Sequence, residues 1–434
     1  MKKIEVFDGD QLYRYPVNYP VTQEGYRLSL CGLKEDHTPL YVPVDEELLS
    51  RHVLLLGGIG TGKTNTFLQM ISQLRRTMTP NDVMIIFDTK GDFRKAFYQG
   101  GDVIISNDET ACGAFGRDYW NIFREIEDGV HMEENIIEIS KALFQKSVEN
   151  SSQPFFPNAA RDIFSAVLTH FCRNRESLPC NNKGLKDFFT STTAEELKEI
   201  LALYPEFRYM NHYISNEKSA QTQGVLSELY QVLGEIFIGN FNQSGSLSMR
   251  NLVRQKGGRC VFIEYDLGIG NMLSPIYSLL IDMAIKEALC RKKSEGSVYF
   301  IVDEFSLLPH LQHIEDAVNF GRSLGVKFMI GIQNVSQVYE GYGQERAQSL
   351  LSGFLTNITF AVNDYASREY IKNYYGENRK KETFMGAVQG KGVVENIRDA
   401  HVVEDWDVSN LRRGEAIIGL PGMPPFRFRF SRYQ

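Results

Sequence analysis

The sequence has no apolar run long enough to cross a bilayer. Its longest hydrophobic stretches are strand-sized or carry a charge, as Asp282 does within Ile276 to Ile285. The first ten residues, Met1 to Asp10, hold acidic side chains where a secretion signal needs an apolar centre. Both absences point to a cytoplasmic protein. Six cysteines (Cys31, Cys112, Cys172, Cys180, Cys260 and Cys290) are scattered without a C-x-x-C pair, several of them in apolar segments. This is the pattern of reduced, buried thiols, and it argues against a disulfide framework or a zinc site. There is no internal repeat, no low-complexity tract and no sign of disorder. Nor is there an excess of basic charge: the formal net charge is −7, so the surface is not a general cationic coat for duplex DNA. A ring that is acidic outside and basic in its channel stays compatible with that balance.

What is present is the composition of an ordinary globular protein, 43% hydrophobic and 23% charged over 434 residues. That length suffices for one large α/β core with a smaller appendage, or for two domains.

The most informative stretch runs from Val53 to Thr64. Four apolar residues, Val53 to Leu56, predict a buried strand. A glycine-rich turn follows, and then a helix with Phe67, Met70, Ile71 and Leu74 on one face. Within it, Gly57, Gly62, Lys63 and Thr64 match G-x-x-x-x-G-K-[ST], the phosphate-binding loop. Glycines let backbone N–H groups curl around an anion, and the new helix turns its positive end toward it. Lys63 is placed to reach the β- and γ-phosphates of a nucleotide, and the Thr64 hydroxyl to hold Mg²⁺. A glycine-rich turn that binds nothing is the bland alternative, and the flanking strand and helix weigh against it.

Val298 to Val302 is an apolar strand running into Asp303 and Glu304. Beside a phosphate loop, the first carboxylate completes the Mg²⁺ shell and the second accepts a proton from the attacking water. The next strand, Lys327 to Gln333, ends in an amide that can touch the γ-phosphate or its water. Between the two strands lies Arg322, in a segment suited to meeting a neighbouring subunit. On the residues alone, a capping or salt-bridge role serves Gln333 and Arg322 equally well.

Around these motifs the chain alternates strand and helix. Strands are expected at Val83 to Asp88, Val103 to Ser106, Cys260 to Tyr265, Asn357 to Val362 and Glu415 to Leu420. These predict a mostly parallel sheet flanked by helices. From Ile136 to Phe241 the periodicity is helical, with Asn/Pro/Ser-rich joints. The expected organisation is a β region at residues 1–50 packed on the core, a nucleotide-binding core at 51–135 and 245–434, and an inserted all-α domain at 136–244.

Five stretches together resemble the coupling proteins of conjugative type IV secretion systems (TraG/TraD-like). They are Gly57-Gly58-Ile59-Gly60-Thr61-Gly62-Lys63-Thr64-Asn65, Ile86 to Phe93, Val302 to Phe305, Gly321 to Val326 and Gly331 to Asn334. Those proteins are hexameric motors of the FtsK/HerA superfamily. The resemblance implies a RecA-like P-loop fold of class α/β with an inserted all-α subdomain, and ATP and Mg²⁺ as ligands. Gly57, Gly58, Gly60, Thr61, Gly62, Lys63, Thr64 and Asn65 would hold the nucleotide, and Thr64 with Asp303 the metal. Lys63, Glu304, Gln333 as γ-phosphate sensor and Arg322 as a finger into the adjacent subunit would carry the chemistry. Implied partners are DNA, expected to be single-stranded, a relaxase or other substrate protein, further copies of the chain in a hexamer, and a membrane-bound secretion partner. Family members commonly begin with transmembrane helices, and no such run is seen here, so any placement at the inner face of the membrane is expected to run through a partner. A duplex DNA translocase for packaging, repair or defence, and a nucleotide-gated docking module for protein substrates, are the competing functions.

Weaker signals complete the reading. Phe426 to Tyr433 alternates aromatic with basic residues. That suits either contact with nucleic acid or, better, an edge strand with arginines toward water and phenylalanines in the core. Arg291 to Lys293 and Arg379 to Lys381 read as solvated loops in preference to a pore lining. His310 and His313 are expected three apart on a helix, with no third metal ligand in view.

Overall fold

In the computed structural model, residues 3–22, 25–108, 118–290, 295–385 and 393–434 are described. Fourteen strands occur among them: β1 (Lys3–Asp8), β2 (Leu28–Leu33), β3 (Pro39–Val44), β4 (Val53–Leu56), β5 (Val83–Asp88), β6 (Val103–Ile105), β7 (Arg259–Glu264), β8 (Val298–Val302), β9 (Val326–Ile332), β10 (Thr356–Thr359), β11 (Glu377–Met385), β12 (Val393–His401), β13 (Glu415–Gly419) and β14 (Phe426–Arg429). The apolar runs of β4, β5, β8 and β9 are buried at every residue, as strands covered on both faces must be.

These strands form the middle of a nine-stranded sheet of order β14-β13-β10-β4-β9-β8-β5-β7-β6. Pairing is parallel from β10 through to β6; β13 and β14 run antiparallel at one side. Alternate residues of each strand enter opposite layers. Leu54 and Leu56, Ile85 and Phe87, and Phe300 and Val302 join one buried cluster, while Val53 and Leu55, Met84 and Ile86, and Tyr299 and Ile301 join the other. Helix Lys63–Thr77 and the β2–β3 hairpin cover the second layer through Phe67, Met70, Ile71, Leu28, Leu30 and Val42. Helices Met132–Asn150, Phe155–Arg173, Ala220–Ile236 and Gly270–Leu289 supply the first.

No strand occurs among the described residues from Ser106 to Gly258, which form helices instead. The chain leaves and rejoins the core side by side: Trp120 and Leu247 form an isolated bridge, and the Asn121 amide N–H donates to the Leu247 carbonyl at 3.0 Å. Glu125 locks this base. Its buried carboxylate accepts from the Trp120 indole at 2.9 Å and from the backbone N–H of Met249 at 2.6 Å, while burial itself pushes its pKa up.

Several expectations are corrected. Residues 1–50 are not one unit: β2 and β3 pack on the core, whereas β1 pairs with β11 in a separate antiparallel sheet, β1-β11-β12. Arg379, Lys380 and Lys381 lie on β11, not in a loop, and pair with Asp399, Glu404 and Glu395. The β11–β12 pair carries no apolar alternation in the sequence, because its charged residues lie on both faces and pair across the strands. Arg291 to Lys293 and Cys112 lie outside the described residues. His310 and His313 precede the helix Ile314–Phe320 rather than sharing one. The strand at 426–429 is an edge strand: Phe426 and Phe428 are buried, Arg427 pairs with Asp407 at 2.6 Å, and Arg429 is exposed. No helix among the described residues is long and apolar enough to cross a membrane.

Candidate nucleotide-binding site

The strand order decides what meets at the carboxyl rim. β9 lies between β4, which carries the phosphate loop, and β8, which carries the acids, with Leu56 opposite Ile332 and Val302 opposite Ile330. Gln333 therefore emerges between Lys63 and the Asp303–Glu304 pair. Close approach is built in: a side chain on Gly331 would come within 2.4 Å of the Asp303 carbonyl.

The phosphate loop has backbone that only glycine adopts at low cost, with φ +73° at Gly60 and +133° at Gly62. Helix Lys63–Thr77 starts directly behind it. The Lys63 ammonium donates to the carbonyls of Gly57 and, at 3.3 Å, Gly58, folding back over its own loop. Burial lowers its pKa; the charges of Glu304 and Asp303 pull the other way.

On the other side, Asp88 at the end of β5 accepts from the backbone N–H groups of Phe93 (3.0 Å) and Arg94 (2.9 Å), holding the turn after it. That turn presents the Thr89 hydroxyl to both oxygens of Asp303, at 3.1 and 3.0 Å. Burial, with the charges of Asp88 and Glu304, raises the Asp303 pKa to about 7 against the lowering effect of Thr89. Such a carboxylate gains most from a cation. Glu304 is held at both oxygens: Ser306 Oγ donates to Oε1 at 2.8 Å and Gln333 Nε2 to Oε2 at 2.7 Å.

These groups line one cavity of about 700 Å³ with Gly58, Gly60, Thr64, Asn65 and Lys90. The glycine cradle, a lysine with no carboxylate bonded to it among the described residues and a hydroxyl–carboxylate pair fit a nucleotide with Mg²⁺, which Thr64 and Asp303 would hold. Neither Thr89 nor Ser306 carries a sequence signal of its own: Thr89 meets Asp303 from a strand 214 residues away, and Ser306 meets Glu304 only because the turn after β8 folds back on itself. Arg413 and Arg432 also line the cavity; Arg432 belongs to the alternating aromatic and basic stretch at 426–433, whose pattern gives no sign of a nucleotide contact.

Arg322 is elsewhere. It precedes β9, at the opposite rim of the sheet, half exposed and paired with Glu47 at 3.2 Å. It takes no part in the site of its own chain.

A second cavity, of about 660 Å³, adjoins the first and shares Ser306, Leu307 and Gln337 with it. Its other wall is helix Met132–Asn150, through Gln145, Lys146 and Glu149. Two histidines tie the segment after Glu304 to that helix: His310 Nε2 meets Glu149 at 2.9 Å, while His313 Nδ1 meets Asp282 at 2.9 Å and its Nε2 lies 3.7 Å from Glu138. Lys286 shares Glu138 and reaches Glu134 at 2.9 Å. Burial disfavours the His313 charge, but the bonds to Asp282 and Glu138 outweigh it and raise the pKa to about 9. Since the folded value lies above the unfolded one, the stabilisation is complete below about pH 6.5 and disappears as pH rises through about 9. His313→Ala should therefore cost about 2 kcal/mol more at pH 6 than at pH 9.5. Melting the two proteins across that range checks this, and equal losses at both ends would refute it.

The sheet order, the loop and the acid pair on adjoining strands define a P-loop protein of the RecA-like α/β class. The chain belongs to the family described as the type IV secretion-system coupling protein DNA-binding domain, whose model matches residues 39–429. The coupling protein TraD of Escherichia coli (strain K12) is 23% identical over 422 residues, covering 91% of this chain and 54% of TraD. The chain thus spans about half the length of the curated relatives it matches. Among solved structures, the unbound bacterial conjugative coupling protein TrwB superposes with TM-score 0.74 at 20% identity, over 91% of this chain and 87% of that one. TrwB in complex with ADP and Mg²⁺ gives 0.70 at 19% identity, over 91% and 88%.

Proposed function

We propose that this protein is an ATP-hydrolysing motor of the conjugative coupling type. In this reading it works as a hexamer that moves DNA, single-stranded and carrying a relaxase, toward a type IV secretion channel through a membrane-bound partner. Residues 51–135 and 245–434 act as the nucleotide-binding core, and 136–244 as the inserted domain that meets cargo. The observation that carries the reading is the strand order β4-β9-β8, which gathers Lys63, Gln333, Asp303 and Glu304 around one cleft.

Backbone N–H groups of the loop hold the phosphates, and Lys63 leaves its carbonyl partners to reach the β- and γ-phosphates. Mg²⁺, held by Thr64 and Asp303, would neutralise charge on the transferred phosphoryl group. Thr89 fixes the orientation of Asp303. Glu304, oriented by Ser306 and Gln333, takes the proton of the attacking water. Gln333 senses the γ-phosphate by exchanging its bond to Glu304 for one to the new oxygen. The segment from Glu304 to His313 then carries the change to helix Met132–Asn150 through the second cavity.

ATP turnover measured without nucleic acid, with single strands and with duplex tests this. Stimulation by single strands, falling steeply with salt and indifferent to sequence, is the expected result. Greater stimulation by duplex would favour a packaging or repair translocase, and a rate unmoved by either would favour a docking module.

A further inference from the structure

The cleft has a second wall that the proposed chemistry does not use. β13 runs antiparallel to β10, so its amino end lies at the carboxyl rim of β4; β14 runs antiparallel to β13, so its carboxyl end lies at that rim too. Arg413, just before β13, and Arg432, just after β14, are thereby brought to the phosphate loop from the side opposite the acids, and both line its cavity.

Their backbones are fastened to the loop and its helix. Gly414 N–H donates to the Thr61 carbonyl at 2.8 Å, and Phe430 N–H to the Gly414 carbonyl at 2.8 Å. Asn65, in the first turn of helix Lys63–Thr77, grips both sides of Arg432: its Nδ2 donates to the Ser431 carbonyl at 2.9 Å, and its Oδ1 accepts from Tyr433 N–H at 2.8 Å. Gln69 Nε2 adds a bond to the Ser431 carbonyl at 2.6 Å. Against this rigid backbone, neither guanidinium makes an ion pair or hydrogen bond among the described residues. Arg427, on the same strand, is paired with Asp407.

Resting on the nucleotide-site reading above, we infer that Arg413 and Arg432 form an arginine clamp on the α-phosphate and ribose end of the bound nucleotide. The acids, Gln333 and Lys63 mark the γ-phosphate end of the cleft. A nucleotide laid from that end along the loop brings its nucleoside end to the opposite wall, where two preset, unpaired guanidiniums offer forked donors to phosphate oxygens. The clamp supplies affinity, common to ATP and ADP, and no part of the hydrolytic step. The amide of Asn65, whose both ends are used in holding the wall, acts as a positioning group for the clamp.

Binding of Mg²⁺–ADP and Mg²⁺–ATP to the full chain tests this. Arg432→Ala should weaken both nucleotides by about tenfold, and Arg413→Ala with Arg432→Ala together by about a hundredfold, by the same factor for each nucleotide. Turnover at saturating ATP should stay near that of the unmodified protein, so the loss appears in KM and not in kcat. Arg429→Ala, an exposed arginine of β14 outside the cavity, is the control and should bind normally. Arg432→Lys should recover part of the affinity, which a purely structural role would not predict. Both arginines are exposed, and melting of the nucleotide-free variants should match the unmodified protein. Unchanged ADP binding in the double variant overturns the clamp, as does a loss confined to ATP, which would move the arginines to the γ end. If the unmodified protein itself binds neither nucleotide, the failure lies with the nucleotide-site reading instead.

Discussion

Replacing Glu304 by glutamine should lower ATP turnover by at least about a hundredfold while Mg²⁺–ATP still binds, because a positioned general base contributes a factor of about 10²–10⁴. The amide keeps the shape of the side chain and an oxygen to accept from Ser306 or Gln333, so the cleft is preserved. It cannot take a proton from water. Turnover and equilibrium binding measured on the same preparation separate the two effects. A variant that hydrolyses at the normal rate would remove Glu304 from the chemistry and leave the acid pair as a metal site alone.

Arg322→Ala should show a loss of similar or greater size, since an arginine supplied across an interface contributes about 10³–10⁵ in rate to phosphoryl transfer. Within one chain this side chain lies at the rim opposite the cleft, bonded to Glu47, itself shared with Arg51. The proposed role in hydrolysis therefore requires another subunit to bring its cleft alongside. A head-to-tail ring pairs two different faces at every interface, and the proposed hexamer would set the amino rim of one subunit against the cleft of the next. Mixing Arg322→Ala subunits with Glu304→Gln subunits then rebuilds complete sites where an intact arginine meets an intact base, at about one interface in four for an equal random mixture. Restored activity is the expected result. No rescue at any ratio, with co-assembly demonstrated, would defeat the trans geometry. If Arg322 served only its bond to Glu47, Glu47→Gln would reproduce the whole defect.

Much of the site was legible because phosphate binding is written into local backbone. Gly60 and Gly62 adopt left-handed conformations that few other residues tolerate, and the strand before them and helix after them each carry their own apolar period. The acid pair is legible for a similar reason: five buried apolar residues can end in two carboxylates only at a rim of the sheet. The three-stranded sheet was not, since β11 and β12 are stabilised by cross-strand charge pairs and carry no apolar alternation. The histidines have helical spacing in the sequence but lie off the helix, because the chain turns there with His310 at φ +61°.

By itself the sequence determined the phosphate loop, the acids, the alternation of strand and helix, and a helical stretch between them, because each depends on contacts between residues near one another in the chain. Only the tertiary structure decided that β9 enters between β4 and β8, so that Gln333 reaches Glu304, and that β5 lies beside β8, so that Thr89 reaches Asp303. It alone placed Arg413 and Arg432 on the far wall and Arg322 on the opposite rim. Strand order follows from how whole apolar faces pack across the sheet, and no short stretch of chain carries that information.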